Sequence, residues 1–155
     1  MKSRTGFVFF FAGAPISWKS QQQSRTAKSS AEAEYMALST AGSEAIWLRR
    51  LNNDLDPGLH TKKDLSPIPL FSDSQSAISM TLNPKNAGRT KDIDMHWHWI
   101  REQVEKKRII LHYVKGVENI ADGLTKPLAF PQFKLFIAGL KLDPIHLDPS
   151  TPSSD

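Results

Sequence analysis

Ser29-Ser-Ala-Glu-Ala-Glu-Tyr-Met-Ala-Leu38 is the stretch whose reading decides the fold. Ser29 followed three positions later by Glu32 has the pattern of a capping box, in which each side chain satisfies an unpaired backbone N–H at a helix start. A long helix is therefore expected from this point. Along it Leu38, Ala41, Ala45 and Leu48 recur at steps of three and four, which defines one buried stripe. Projected back one turn, the stripe reaches Glu34. Asn52, Asn53, Pro57 and Gly58 predict the end of the helix and a polar loop to about Pro67.

Upstream, Gly6–Ala12 is short and aromatic, with Phe7, Phe9, Phe10 and Phe11. Lys2, Arg4 and the Ala12-Gly-Ala14 triplet imitate a secretory signal with its cleavage site. Aromatic residues instead suit a strand, and Ala12-Gly-Ala-Pro15 supplies a turn into a second strand, Ile16–Ser20. The signal is read as a decoy and the hairpin is preferred.

Downstream, Ile68–Ser72 is a short apolar strand, bounded by Pro67 and edge-like at Pro69. Ser74–Leu82 suits a short helix stopped by Asn83-Pro84. Asp92–Lys107 is amphipathic, with Ile93, Trp97, Ile100 and Val104 on one side. Arg108–Lys115 alternates as a strand, with Ile109, Leu111 and Tyr113 on one face and Ile110, His112 and Val114 on the other. A last helix is expected from near Glu118. From Pro144 onward Pro, Ser and Asp dominate, and disorder is expected. This order is an α/β layout with a mixed sheet flanked by helices.

The chain has 155 residues, 39% of them hydrophobic, enough for one domain with a core. It has no Cys, which excludes disulfides and thiolate metal sites and suits a reducing intracellular, cytoplasmic setting. The formal charge is +4, and residues 1–141 hold all 20 basic residues but 13 of the 16 acids, a net +7. A basic body favours polyanion partners. No apolar run approaches the roughly 20 residues of a membrane span.

Three carboxylates invite chemistry, and each has a plain alternative. Asp73 follows a strand and precedes a helix, where open α/β sheets place ligands, but Asp is also a good N-cap for a helix starting at Ser74. Glu34 is a site acid, a boundary residue or a complement to the helix N-terminus, and Glu32 could serve equally. Asp122, in Ile120-Ala-Asp-Gly-Leu-Thr-Lys-Pro-Leu128, reads by itself as a solvated surface acid. Two-metal phosphodiester hydrolysis needs such acids clustered around ions roughly 3.5–4 Å apart. Mg²⁺ suits carboxylates and substrate phosphates.

Gly6-Phe-Val-Phe-Phe10, Ala14-Pro-Ile-Ser-Trp-Lys19, Glu32-Ala-Glu-Tyr-Met-Ala-Leu38 and Ala45-Ile-Trp-Leu-Arg49 open a longer pattern. Asp73-Ser-Gln-Ser-Ala-Ile78, Arg89-Thr-Lys-Asp-Ile-Asp94, Ile100-Arg-Glu102 and Ala121-Asp-Gly-Leu-Thr-Lys-Pro-Leu128 continue it. Together they resemble the ribonuclease H domain at the end of a copia-type retrotransposon Pol polyprotein, from about Thr5 to Leu128. The resemblance implies a ribonuclease H-like fold over residues 1–130; beyond it, the sequence reads as a C-terminal extension with helical character over 131–143 and a disordered tail over 144–155. It carries Glu34, Asp73 and Asp122 onto the second, third and fourth catalytic carboxylates, which in the family bind two Mg²⁺ ions. The implied activity is hydrolysis of the RNA strand of RNA–DNA hybrids, recognised by shape and 2′-hydroxyls. The reverse transcriptase region of the same polyprotein is the implied partner, with no membrane.

There are departures. In the family a central strand bearing the first catalytic Asp precedes the segment matching Thr5–Ala12, and this chain begins at Met1, too late to contain it. The chain therefore reads as a truncated element copy, or a sequence begun at an internal Met, that is inactive or severely weakened. The missing strand is expected to expose two strand edges and an apolar seam, onto which the hairpin docks directly or which another chain fills. The alternative function is a non-catalytic nucleic-acid-binding or assembly module, using basic residues such as Lys106-Lys-Arg108. Lys91-Asp-Ile-Asp94 stands where the family usually has Lys-His-Ile-Asp. His98, between Trp97 and Trp99, reads as a partly buried structural histidine. Asp92 with His96 and Asp94 with His98 form i,i+4 pairs on different faces, which charge pairing and first-turn acids explain better than a metal.

Overall fold

The computed structural model describes residues 2–24, 26–55, 66–83 and 94–142, the side chains of residues 94–97 excepted. Strands β1 (Arg4–Phe11) and β2 (Ala14–Gln22) form an antiparallel hairpin, so the apolar N-terminal stretch is a strand. Its two-residue turn holds both Ala12 (φ 50°) and Gly13 (φ 85°) in the left-handed region. Such turns match the twist of the strands they join. Gly13 adopts this backbone freely, whereas a left-handed alanine costs roughly 1–2 kcal/mol because its Cβ crowds the following carbonyl. Ala12→Asn, which favours this turn, is expected to raise the melting temperature by about 2–4 °C. Calorimetric melts check this, and a fall would contradict the turn's role.

Helix α1 (Ser30–Leu55) is the spine of the fold. Its start is capped as the sequence indicates: the Glu32 N–H donates to Ser29 Oγ at 3.1 Å, and Glu32 Oε2 accepts the Lys28 N–H at 2.7 Å. Its end corrects the expectation, because the helix continues through Asn52 and Asn53 to Leu55. Two exposed asparagines lower helix propensity only slightly, whereas Pro57 disfavours helical backbone in the residue before it. The buried stripe is also rotated: Tyr35, Leu38, Ser39, Gly42 and Ala45 are buried, while Ala41 and Leu48 lie at its margin.

Strand β3 (Ile68–Ser72) and β4 (Ile109–Tyr113) pair in parallel, Ile68 opposite Ile109 and Ser72 opposite Tyr113. A parallel pair needs a crossover, and α2 (Gln75–Leu82) and α3 (Asp94–Glu105) lie in that connection. The core forms where these elements meet α1, through Tyr35, Leu38, Leu70, Ala77, Ile100 and Ile109. Tyr35 is fully buried, and burial pushes its hydroxyl up to about 12, eased by nearby Arg101 and a hydrogen bond with Thr81. Phe7 of β1 is buried as well. Ser17 Oγ of β2 donates to Glu44 Oε1 of α1 at 2.7 Å, which ties the hairpin to the same helix.

The α/β class is as expected, and both strand orientations are present. The strands form two separate ladders, β1–β2 and β3–β4, with no hydrogen bonding between them. The hairpin therefore does not dock directly on the other pair.

The C-terminal segment corrects another expectation. Instead of a helix from Glu118 there are two short 3-10 turns, Gly116–Glu118 and Ile120–Leu124, and only then α4 (Phe130–Leu140). Asn119 interrupts the run, with its side chain capping the Ala121 N–H at 3.2 Å, and Pro127 follows in the sequence. Helix α4 packs on the second turn so closely that a Cβ on Gly123 would lie 2.4 Å from the Phe136 ring. His98 is exposed, not partly buried, because Ile100 and Gln103 form the buried side of α3. Asp92, and the side chains of Asp94 and His96, lie outside the described residues, as do the predicted tail and most of the loop before Pro67. No helix among the described residues is long and apolar enough to cross a membrane.

Candidate active site

Two acids from segments distant in sequence, Glu34 and Asp73, line one cleft, and a third, Asp122, lies near enough to act on Glu34 electrostatically. The cleft, of about 450 Å³, lies between β1 and β3 and is floored by Ala37, Leu38 and Ala41 of α1. Glu34 and Asp73 line it, together with Asn119 and Ala121, the latter next to Asp122.

The sequence left Asp73 between a helix cap and a site residue. The cap of α2 is Ser74, whose Oγ accepts the Ala77 N–H at 3.2 Å. Asp73 is thereby free of that duty, and its Oδ1 accepts from Asn119 Nδ2 at 3.2 Å. Gly116 approaches the other carboxylate oxygen, which would lie 3.3 Å from a Cβ built on that glycine. Glu32 is excluded as the site acid of α1, since it is buried and committed to the Lys28 N–H. Glu34, two positions on, is exposed toward the cleft.

Asp122 sits in the Ile120–Leu124 turn, with Oδ2 2.7 Å from Lys126 Nζ. That turn is fastened to the hairpin, because Ser20 Oγ donates to the Leu124 carbonyl at 2.6 Å. Gly6 of β1 lies against it so tightly that a Cβ would meet Thr125 Cγ2 at 2.6 Å. Asn119 and Lys126 are site residues that the sequence reading missed. The i,i+4 spacing of Asp122 and Lys126 was a readable signal.

The acids act on one another electrostatically. The Glu34 carboxyl is held above its ordinary value of 4.5 by partial desolvation first, then by the charges of Asp73 and Asp122, and Lys126 offsets part of this. The Lys126 ammonium is raised, first by its hydrogen bond to Asp122 and then by that residue's charge. Folded Glu34 thus binds its proton more tightly than in the unfolded chain, so its ionised form destabilises at neutral pH. That handicap shrinks as the pH falls through the raised value and vanishes below 4.5, where both states are protonated. Glu34→Gln is expected to raise the melting temperature at pH 7 by about 1–3 °C in EDTA, and to give no gain near pH 3.5. Melts at the two pH values check both limbs.

An all-oxygen donor set of this kind suits a hard cation such as Mg²⁺. The spacing does not: among the described residues no three His, Cys, Asp or Glu side chains stand close enough to hold one ion. Asp73 is turned to Asn119 and Asp122 to Lys126. Of the basic cluster at the end of α3, Lys106 is paired with Glu102 and Arg108 with Gln103, while Lys107 is exposed.

Relatives of this chain are known. It is 42% identical over 134 residues to the retrovirus-related Pol polyprotein from transposon TNT 1-94 of Nicotiana tabacum, covering 86% of this chain and 10% of that protein. It is 32% identical over 145 residues to the corresponding polyprotein from transposon RE2 of Arabidopsis thaliana, covering 92% and 10%. To the transposon Ty1-NL2 Gag-Pol polyprotein of Saccharomyces cerevisiae it is 33% identical over 139 residues, covering 86% and 7%. The chain thus spans about a tenth or less of the length of these curated relatives. No protein-family profile and no solved structure matches it.

Proposed function

We propose, for a chain that is related over most of its length to the Pol polyproteins of copia-type retrotransposons, that it is their ribonuclease H-type segment with an incomplete active site. What supports this reading is that Glu34 and Asp73 line the same cleft and that the charges of Asp73 and Asp122 both raise the Glu34 carboxyl, three acids from separate segments. Its substrate class is the RNA–DNA hybrid, with Mg²⁺ as the ion and the reverse transcriptase region of the polyprotein as its neighbour. The three acids repel one another but do not form a cluster that holds an ion. No hydrolytic step is therefore assigned to them alone, and the 155 residues hold a hybrid without cutting it efficiently.

A purely non-catalytic binding or assembly module is the second reading, supported by the net charge of +4. A cleavage assay on a labelled RNA–DNA hybrid, in Mg²⁺ and in Mn²⁺, separates sufficiency from insufficiency of the site. The folded chain is expected to cut no faster than Asp73→Asn. Metal-dependent cleavage abolished by that substitution would show that the three acids suffice, and would overturn the incomplete-site reading.

A further inference from the structure

One ammonium stands among the three acids. Lys126 Nζ lies 2.7 Å from Asp122 Oδ2, and its charge also offsets part of the rise in the Glu34 carboxyl. The ammonium is itself raised by its hydrogen bond to Asp122 first, then by that residue's charge, and to a smaller extent by Asp73 and Glu34. The Glu102–Lys106 pair of α3 has the same i,i+4 spacing, with both side chains half exposed, and exposed pairs of that kind contribute little. Asp122 differs. Its side chain is only 24% exposed, and two further acids lie within electrostatic reach of its partner.

The backbone fixes where Lys126 stands. The Thr125 and Lys126 N–H groups both donate to the Asp122 carbonyl, at 3.0 and 3.3 Å, and Thr125 Oγ1 donates to the same oxygen at 3.0 Å. The turn thereby closes on Asp122 and brings the lysine to its carboxylate. Pro127 follows in the sequence and restricts the backbone of the residue before it. From the hairpin, Ser20 Oγ holds the Leu124 carbonyl and Gly6 packs against Thr125. Lys126 is thus a cation with a fixed base and a movable head, since its side chain is 58% exposed on a flexible four-carbon stem.

A hard divalent ion needs carboxylate oxygens free to ligate it. In the described arrangement Asp122 faces Lys126, Asp73 faces Asn119, and no three described acids or histidines are grouped for one ion. The disagreement between the donor types and their spacing therefore has a local cause in this chain's own residues.

We propose that Lys126 acts as a tethered cation for Glu34, Asp73 and Asp122, so that a divalent ion enters among them only by displacing the ammonium from Asp122. The inference rests on the ribonuclease H reading only for the choice of a divalent ion.

The probe is Mn²⁺, a carboxylate-seeking ion, titrated into the full chain without nucleic acid, with the free ion followed by electron paramagnetic resonance. Lys126→Gln is expected to bind Mn²⁺ about tenfold or more tighter than the unsubstituted chain, because a positive charge a few ångströms from the ion is removed. Lys126→Arg keeps the charge and is expected to bind as weakly as the unsubstituted chain. Adding Glu34→Gln to Lys126→Gln is expected to take back most of the gain. Circular dichroism melts establish that each variant is folded. No gain in Lys126→Gln would overturn the proposal. An equal gain in Lys126→Arg would overturn it by showing that shape, not charge, excludes the ion. Full retention of the gain in the double variant would do so by placing the ion away from these acids. Hybrid binding and cleavage are measured separately, so failure here leaves the ribonuclease H reading standing, and failure of that reading leaves the Mn²⁺ result.

Discussion

Ile100→Ala is expected to lower the unfolding free energy by about 3–4 kcal/mol, a large share of the stability of an ordinary domain. Ile100 is fully buried, in the cluster where α3 meets α1, β3 and β4. Removing its branched end leaves a void inside the cluster that joins these elements. Gly42 explains why the site cannot simply be refilled from the facing helix, since a Cβ there would lie 2.6 Å from Ile100 Cδ1 and 3.2 Å from Ile109 Cδ1. Gly42→Ala alone is therefore expected to destabilise by about 1–3 kcal/mol. Ile100→Val deletes the Cδ1 atom that the new methyl would strike. The double variant is thus expected to be more stable than the sum of the single costs implies, by roughly 1 kcal/mol. Urea denaturation of the four chains measures the cycle. Strict additivity would contradict the contact.

The second large effect concerns binding. Asp73→Asn is expected to tighten the grip on an RNA–DNA hybrid about three- to tenfold in EDTA, because one negative charge at the open end of the cleft no longer repels phosphate. The Asn119 contact can survive, since the asparagine side chain retains an acceptor oxygen. Lys126→Met is expected to act in the opposite direction, leaving Asp122 without its partner. Raised salt should shrink both differences, since exposed charges are screened within about 10 Å at 0.1 M. Fluorescence anisotropy reads the affinities directly, and a loss of affinity in Asp73→Asn would mean that the acid end is not where the hybrid lies.

Much of this arrangement was legible in the residues, and its limits have physical causes. Ile68–Ser72 is a strand residue for residue because an apolar run is bounded on both sides by turn-forming types. The Ser29–Glu32 capping pattern located the start of α1, although the carboxylate reaches the Lys28 N–H. Asp73 and Ser74 are both good caps, and adjacent caps compete through backbone geometry that no sequence pattern records. The structure gives the cap to Ser74. The segment after Glu118 was expected to be helical. It is broken by the Asn119 cap, and Gly123 supplies the close approach to Phe136. The pairing of Asn119 with Asp73, 46 positions apart, is a product of tertiary packing and left no local trace. The separation of the two ladders was foreseen only as an alternative, because edge pairing depends on where α1 holds each strand.

Competition binding tests the central assignment most directly: a labelled RNA–DNA hybrid held by the chain at low salt, displaced by unlabelled hybrid or by DNA duplex of the same sequence. A ribonuclease H-type segment reads duplex shape and 2′-hydroxyls, so the unlabelled hybrid is expected to compete at a lower concentration than the DNA. Equal competition by the two duplexes would reduce the interaction to the chain's positive charge and contradict the ribonuclease H assignment.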